Sequence, residues 1–410
     1  MKKMVSRRQF LQAAGLTAAA AALTACGSSS SSSAAGGSTA GGSDTSSVIT
    51  IGVMGPLTGG VSVYGNAVVN GAMLYLNQVN ENGGINGKQL NIIKEDEKGD
   101  ATEAVTVFNK MLDSGIVGLI GDVTTTPTLA VVAESQEYNM PMVTASATAA
   151  AVTYDADTDT VYENVYRATF IDPFQGIKMA DYAVEKLGLT KVAVLYKTGD
   201  DYSEGLAQSF QDELVAKGGV VTDVQAFSEG DVDFNAQLTS IAASSPDAVY
   251  LPYYYEDIGQ TITQARAQGI TVPFLGGDGW DGLRGGAEEY ASAEDVQGCY
   301  FLANYAPGIS PEFESAYQAA YGEAYPNGFA PLGYDAAMTL CAGLQAAEDA
   351  GLDPVADYED YKQAVIDGID KATVEGVTGT FTFDEYNNPV KATAFIGFNE
   401  AGAPTFVEHF

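Results

Sequence analysis

Histidine is almost absent from this chain: His409, one residue from the C-terminus, is the only one among 410 residues. That removes Ser-His-Asp and Cys-His nucleophile systems and histidine-rich metal sites. Cysteine is nearly as scarce. Cys26, Cys299 and Cys341 are too few for a disulfide scaffold. Cys299 and Cys341 sit in the apolar runs VQGCYFL and AMTLCAGL, so they form either one disulfide or, as we expect, two separately buried thiols. Basic residues number 19 against 53 acidic ones, a formal net charge of -34. Such a surface repels nucleic acid and anionic headgroups. What is present, 46% hydrophobic and 18% charged residues, is the composition of an ordinary globular chain long enough for two cores.

The first 25 residues stand apart. Basic residues are followed by an Ala/Leu run too short to span a bilayer well, then by small residues before Cys26, the layout of a processed export signal. Ser6-Arg7-Arg8-Gln9-Phe10-Leu11 resembles a twin-arginine motif, and Leu23-Thr24-Ala25-Cys26 resembles a bacterial lipobox, in which Cys26 would carry the lipid. Two acyl chains suffice for stable anchoring. Residues 27 to 47 are Ser- and Gly-rich and read as a flexible tether with a reach of about 25 Å. Lys2, Lys3, Arg7 and Arg8 leave with the signal, so the rest carries 15 basic residues against 53 acidic ones, a net charge of -38.

From residue 48 strands and helices alternate. ITIGVM, QLNIIKED, VGLIG and PMVTAS read as strands separated by helices near 62–80, 102–114 and 127–138. The rhythm restarts after Asp172 with KVAVLY, VVTDVQAF, AVYLPYY and VPFLGG, separated by helices near 203–217, 233–243 and 257–268. Such alternation predicts an α/β fold, two lobes with parallel sheets following one another. Helical patterns at 310–325, 333–349 and 358–369, with short strands in FTFDE, KATAFIGF and TFVEHF, complete the two lobes rather than form a third.

Open parallel sheets take ligands beyond the carboxyl ends of their strands. Those ends carry hydroxyl residues in the first lobe and tyrosines and acids in the second. In FLGGDGWDG, residues 274–282, Gly277, Gly279 and Gly282 have dinucleotide-motif spacing, but Asp278 and Asp281 would repel a pyrophosphate. The loop reads better as one that brings Asp278 against a cation. GGINGKQ, at 83–89, is one residue short of a phosphate loop and reads as a turn. Thr124, Thr125 and Thr126 precede a helix and Ser146, Ala147 and Thr148 end a strand, so hydroxyls and free N–H groups could receive a carboxylate there. Simple helix capping explains either segment alone.

Taken in order, IGVMGPLTGGVSVYGNAVVNGAMLYLNQVNENGGINGKQLNIIKED, VGLIGDVTTTPT, VTASATA, DDYSEGLAQSFQDEL, YYYEDIGQTITQARAQGI, PFLGGDGWD and GYDAAMTL resemble the type I periplasmic binding proteins, in particular the leucine/isoleucine/valine-binding proteins of ABC importers. The resemblance covers nearly all of 48–400. It implies two Rossmann-like lobes with parallel sheets joined by a three-strand hinge: lobe 1 at 48–171 and 304–380, lobe 2 at 172–303 and 381–410, with a ligand in the cleft. It further implies carboxylate contacts at Thr125, Ser146 (backbone) and Thr148, an ammonium contact at Asp278, closure by Tyr202 and Tyr254, and a side-chain pocket of Tyr64, Val123, Thr124 and Phe329. Trp280 and Tyr253 join that pocket or the core. Asp278 stands where the family has glutamate, and Thr124 where it has an apolar or sulfur-bearing residue, which leaves the ligand's side chain open. The implied protein is a monomeric, non-enzymatic amino acid receptor with no metal or cofactor, no nucleic acid partner, a membrane tether and permease partners. A ligand sensor, a binder of an amide or aromatic acid, and an extracytoplasmic hydrolase are the alternatives.

Overall fold

The computed structural model describes residues 48–410 apart from 287, 323, 325 and 326. The leader, Cys26 and the tether to residue 47 lie outside the described residues. The chain begins β1 (Ile49–Gly55), α1 (Ser62–Glu81), β2 (Leu90–Asp96), α2 (Ala101–Asp113), β3 (Leu119–Ile120), α3 (Thr125–Tyr138) and β4 (Met142–Thr144). A small hairpin of β5 (Tyr154–Asp155) and β6 (Thr160–Val161) leads to β7 (Val165–Arg167). These strands form a sheet in the order β2-β1-β3-β4-β7, parallel throughout. Helices on both faces bury β1 almost completely, which is why ITIGVMG reads as a continuous apolar run rather than an alternating one.

The second half runs α4 (Asp172–Glu185), β8 (Lys191–Lys197), α5 (Asp201–Ala216), β9 (Val220–Phe227), α6 (Asn235–Ala243), β10 (Ala248–Tyr250), α7 (Tyr255–Ala267), β11 (Phe274–Gly276) and β12 (Tyr300–Ala303). The remainder is α8 (Pro311–Tyr321), α9 (Phe329–Asp349), α10 (Tyr358–Asp370), the hairpin β13 (Val374–Gly376) and β14 (Gly379–Phe381), and the strands β15 (Ala394–Phe398) and β16 (Pro404–His409). The second sheet has the order β16-β15-β12-β11-β10-β8-β9, with β15 and β16 antiparallel at one edge. Helix α9 packs on α1, α10, β3 and β4. The chain therefore passes between the halves after β7, after β12 and after β14.

Two helices start earlier than their sequence pattern suggests. Helix α3 opens at Thr125 rather than 127 and α9 at Phe329 rather than 333, because Pro127 and Pro331 occupy the third helical position. A proline is tolerated there, where its missing N–H would have no intrahelical partner. Thr125 and Thr126 thus lie inside the first turn of α3, not before it. The strands β5, β6, β7, β12 and β13 had no clear sequence signal. Four of them are two or three residues long, and their pairing is set by the neighbouring strand. GGINGKQ forms the expected turn between α1 and β2, held by the Ile85–Lys88 bridge. Cys299 and Cys341 are both free and buried, so the disulfide alternative does not hold. Among the described residues no helix is long and apolar enough to cross a membrane, and no group of three or more acidic, Cys or His side chains could hold a metal ion.

Candidate functional site

Strand ends from both sheets meet at one cavity. Its lining is Tyr64, Val123, Thr124, Thr125, Ser146, Thr148, Tyr202, Tyr254, Asp278, Gly279 and Phe329, packed so closely that about 10 Å³ stays open between them. All ten residues singled out from the sequence as ligand contacts are in that lining, and Gly279 is the addition. With so little room between the walls as they stand, a ligand enters only when they part.

The first half contributes neutral donors. Helix α3 begins with its N-cap side chain, Thr124, making no capping hydrogen bond, so the N–H groups of its first turn are left for a ligand or water. The Thr124 carbonyl is occupied by the Thr128 hydroxyl at 2.7 Å. The neighbouring loop is braced from behind. Thr144 Oγ1 donates to the Asp122 carbonyl at 2.6 Å and accepts the Ala147 N–H at 3.1 Å. Ser146 Oγ donates to the Val123 carbonyl at 2.7 Å, which ties the two segments together and leaves Ser146 its backbone for contact with a ligand.

The second half contributes a carboxylate held by aromatics. Tyr202 donates to Asp278 Oδ1 at 2.8 Å and accepts the Gly279 N–H at 2.8 Å, while the Asp278 N–H bonds Gln175 Oε1 at 3.0 Å. Tyr202 stacks on Tyr254 with centroids 4.9 Å apart. Asp278 is 4% exposed. Burial pushes its carboxyl up to about 6, against the opposing pull of the Tyr202 and Gln175 hydrogen bonds. The glycines of this loop serve packing. A side-chain carbon on Gly276 would meet the Trp280 indole, and one on Gly279 would come within 2.5 Å of the Tyr253 carbonyl and 2.8 Å of the Tyr202 hydroxyl. The turn Asp278–Trp280 is a single 3-10 turn, not the start of a phosphate-binding helix.

Trp280 and Tyr253 belong to the core. The indole donates to the Leu251 carbonyl at 2.9 Å, the Tyr253 hydroxyl to Thr261 at 2.9 Å, and neither lines the cavity. Asp281 also points elsewhere, accepting the Gly328 N–H at 2.7 Å. Asp200 caps α5 by accepting the Ser203 N–H.

The walls touch across the cavity. Tyr64 on α1 donates to the Gly279 carbonyl at 2.6 Å and accepts the Tyr255 N–H at 3.3 Å, and the Tyr255 hydroxyl donates to the Gly60 carbonyl at 2.7 Å. Phe329 stacks on Tyr64 at 4.3 Å. Sequence reasoning missed Tyr255 and Gln175, because nothing in YYYED or DPFQG marks which side chain spans a cleft. Outside lies a wider vestibule that shares Thr124 and Tyr254 with the cavity and is lined by Asp200, Glu229, Glu256 and Asp257 with Lys98 and Lys197.

A two-lobed α/β chain with a buried polar cavity at its cleft, donors on one wall and a carboxylate on the other, defines a small-molecule binding protein. Residues 48–403 match the periplasmic binding protein family, and this chain belongs to it. Residues 4–24 match the twin-arginine translocation signal, so the chain is exported. It is 31% identical over 349 residues to the Leu/Ile/Val-binding protein BraC3 of Rhizobium johnstonii, 83% of this chain and 90% of that one. It is 32% identical over 231 residues to the Leu/Ile/Val-binding protein of Citrobacter freundii, where the match spans 56% of this chain and 61% of that relative's length. The crystal structure of a branched-chain amino acid transporter substrate binding protein from Streptococcus pneumoniae, in complex with isoleucine, superposes with a TM-score of 0.76 at 31% identity, covering 88% of this chain and 99% of that one.

Proposed function

We propose that this protein is a monomeric, non-enzymatic receptor that captures a free amino acid, a branched-chain one (leucine, isoleucine or valine) first, and hands it to the permease of an ABC importer. The carrying observation is the opposition inside one cavity of the hydroxyl- and N–H-rich wall, Thr125, Ser146 and Thr148, to the buried Asp278. An α-amino acid presents a carboxylate to the first and an ammonium to the second. Tyr64, Val123, Thr124 and Phe329 supply the surface for its side chain. The relatives named for Leu/Ile/Val binding and the isoleucine complex support this choice of ligand. Cys26 is the proposed lipid anchor, which would hold the receptor within reach of its membrane partner.

Lobe 1 comprises 48–171 and 304–380 in this reading, and lobe 2 comprises 172–303 and 381–410. The ligand docks on lobe 1 in the open cleft. Lobe 2 then brings Tyr202, Tyr254 and Asp278 across it, and exclusion of water strengthens each charged contact. Calorimetric titration of the ligand-stripped protein with the twenty amino acids and their deaminated and amidated analogues tests this. Tight binding that needs both the amino and the carboxylate group is the expected result. Binding confined to amides or aromatic acids would remove the headgroup assignment.

A further inference from the structure

Behind the first wall of the cavity lies a buried cation that none of the roles above uses. Arg167 ends β7 and is fully buried, in register with Thr144 of β4. Its two hydrogen bonds go to neutral oxygens, Nη1 to the Ala147 carbonyl at 2.9 Å and Nη2 to Thr153 Oγ1 at 2.9 Å, and Nε has no partner. A guanidinium in such surroundings is costly unless an anion answers it. The carboxylates whose charge reaches it are Asp172 and Asp384. Asp384 is exposed and turned to its own loop, where it accepts the Tyr386 and Asn388 N–H groups. Asp172 is buried with one oxygen unpartnered, and that burial pushes its carboxyl well up, toward the neutral form. Neither is in hydrogen-bond or ion-pair contact with the guanidinium.

The residue that Arg167 grips decides what it faces. Ala147 stands between Ser146 and Thr148, its N–H taken by Thr144 and its carbonyl by Arg167. The loop is therefore clamped from behind at its middle residue, and its two flanking residues line the cavity. We propose that Arg167 is the countercharge for the ligand's carboxylate, acting through the Ser146–Thr148 loop that it also positions. The inference rests on the headgroup assignment above. Arg167 does not line the cavity, so it is a positioning residue. It favours anionic ligands by charge, over and above the hydrogen bonds that the loop supplies.

The test separates charge from scaffolding. L-leucine and L-leucinamide, which lacks the carboxylate, are titrated calorimetrically into the mature wild-type protein, Arg167→Gln and Arg167→Lys. Expected is a wild-type preference for the acid over the amide that shrinks on the order of tenfold in Arg167→Gln, through weaker leucine binding, and largely survives in Arg167→Lys. Equal weakening of both ligands in Arg167→Gln, with the ratio unchanged, would mean a purely structural role and overturn the proposal. If Arg167→Gln does not fold, a Lys variant that keeps the charge yet loses the preference overturns it as well. A wild-type protein that binds both probes equally well, or that binds neither of them nor any other of the twenty amino acids, instead overturns the headgroup assignment beneath it, so the two failures are distinguishable.

Discussion

The two walls of the cavity solve opposite problems. The first half presents neutral donors whose supporting atoms are already satisfied: Thr144, Ser146 and Thr128 spend their hydroxyls on carbonyls behind the site, so the loop is rigid before any ligand arrives. The second half buries a carboxylate that the Tyr202 hydroxyl supports, and its raised proton affinity shows that this support does not fully replace water. A neutral wall can be preorganised cheaply, whereas a charged one is complete only when an opposite charge enters. Docking on the first wall followed by capture on the second is the order that this asymmetry favours.

The sharpest way to break the comparison is Asp278→Asn. It keeps the shape and the Tyr202 contact while removing the charge. Affinity for an amino acid should fall by about 2–5 kcal/mol, because the ligand's ammonium is left buried without its partner. Affinity for the deaminated analogue should hold or improve. Unchanged amino acid affinity by calorimetry would remove the role given to Asp278. On the opposite wall, Thr148→Val should cost about 1.5–3 kcal/mol, the scale of one hydrogen bond to a charged group. That loss should appear with leucine and be small with leucinamide.

Acidity sharpens the same contrast. Asp278 has a proton affinity raised by burial to about 6, above that of an unfolded aspartate. In the ligand-free protein its stabilising contribution is therefore present below about pH 4 and is lost as pH rises through 6. A bound ammonium reverses the preference and favours the ionised form. The gain in melting temperature on adding ligand should accordingly be larger at pH 7.5 than at pH 5, with affinity dropping about tenfold per unit below pH 6, or about 1.4 kcal/mol. Asp281, Asp122 and Glu97, also raised by burial, tilt the ligand-free stability in the same direction. The difference between liganded and free protein reports the acids near the ligand, Asp278 and Asp172, and its loss in Asp278→Asn assigns it to Asp278. A ligand-induced gain that is flat with pH, or absent at pH 7.5, would oppose it.

The alternation of strand and helix made both sheets legible, because parallel strands covered on both faces leave apolar runs such as ITIGVMG and KVAVLYK. The short strands were not, since β7 and β12 acquire their register from β4 and β11 and carry too few residues for a period to show. Within the site, the order of segments resembling a known family pointed to ten residues that the chain brings to a single cavity. The bracing atoms stayed hidden. Gln175 is 103 positions from Asp278 and Tyr255 is 195 from Gly60, and no local pattern relates residues so far apart. Arg167 shows the same limit from the other side. In the sequence it is one basic residue in a segment without a strand signal, and only the structure shows that it is buried with no carboxylate in contact.

The smallest effect concerns the seam where the walls meet. Tyr64 donates its hydroxyl proton to the Gly279 carbonyl while its ring stacks on Phe329, so Tyr64→Phe removes the hydrogen bond and keeps the apolar contact. If the bond forms only when the cleft closes, its loss destabilises the closed state alone. Affinity should fall by about 0.5–1.5 kcal/mol, roughly 3- to 10-fold, equally for leucine and for its deaminated and amidated analogues. The ligand-free melting temperature should move little. A loss confined to one analogue would instead place the Tyr64 hydroxyl on the ligand's headgroup, and a large drop in ligand-free stability would make the seam a permanent part of the core. Uniform weakening separates closure from recognition, which the asymmetric walls assign to different residues.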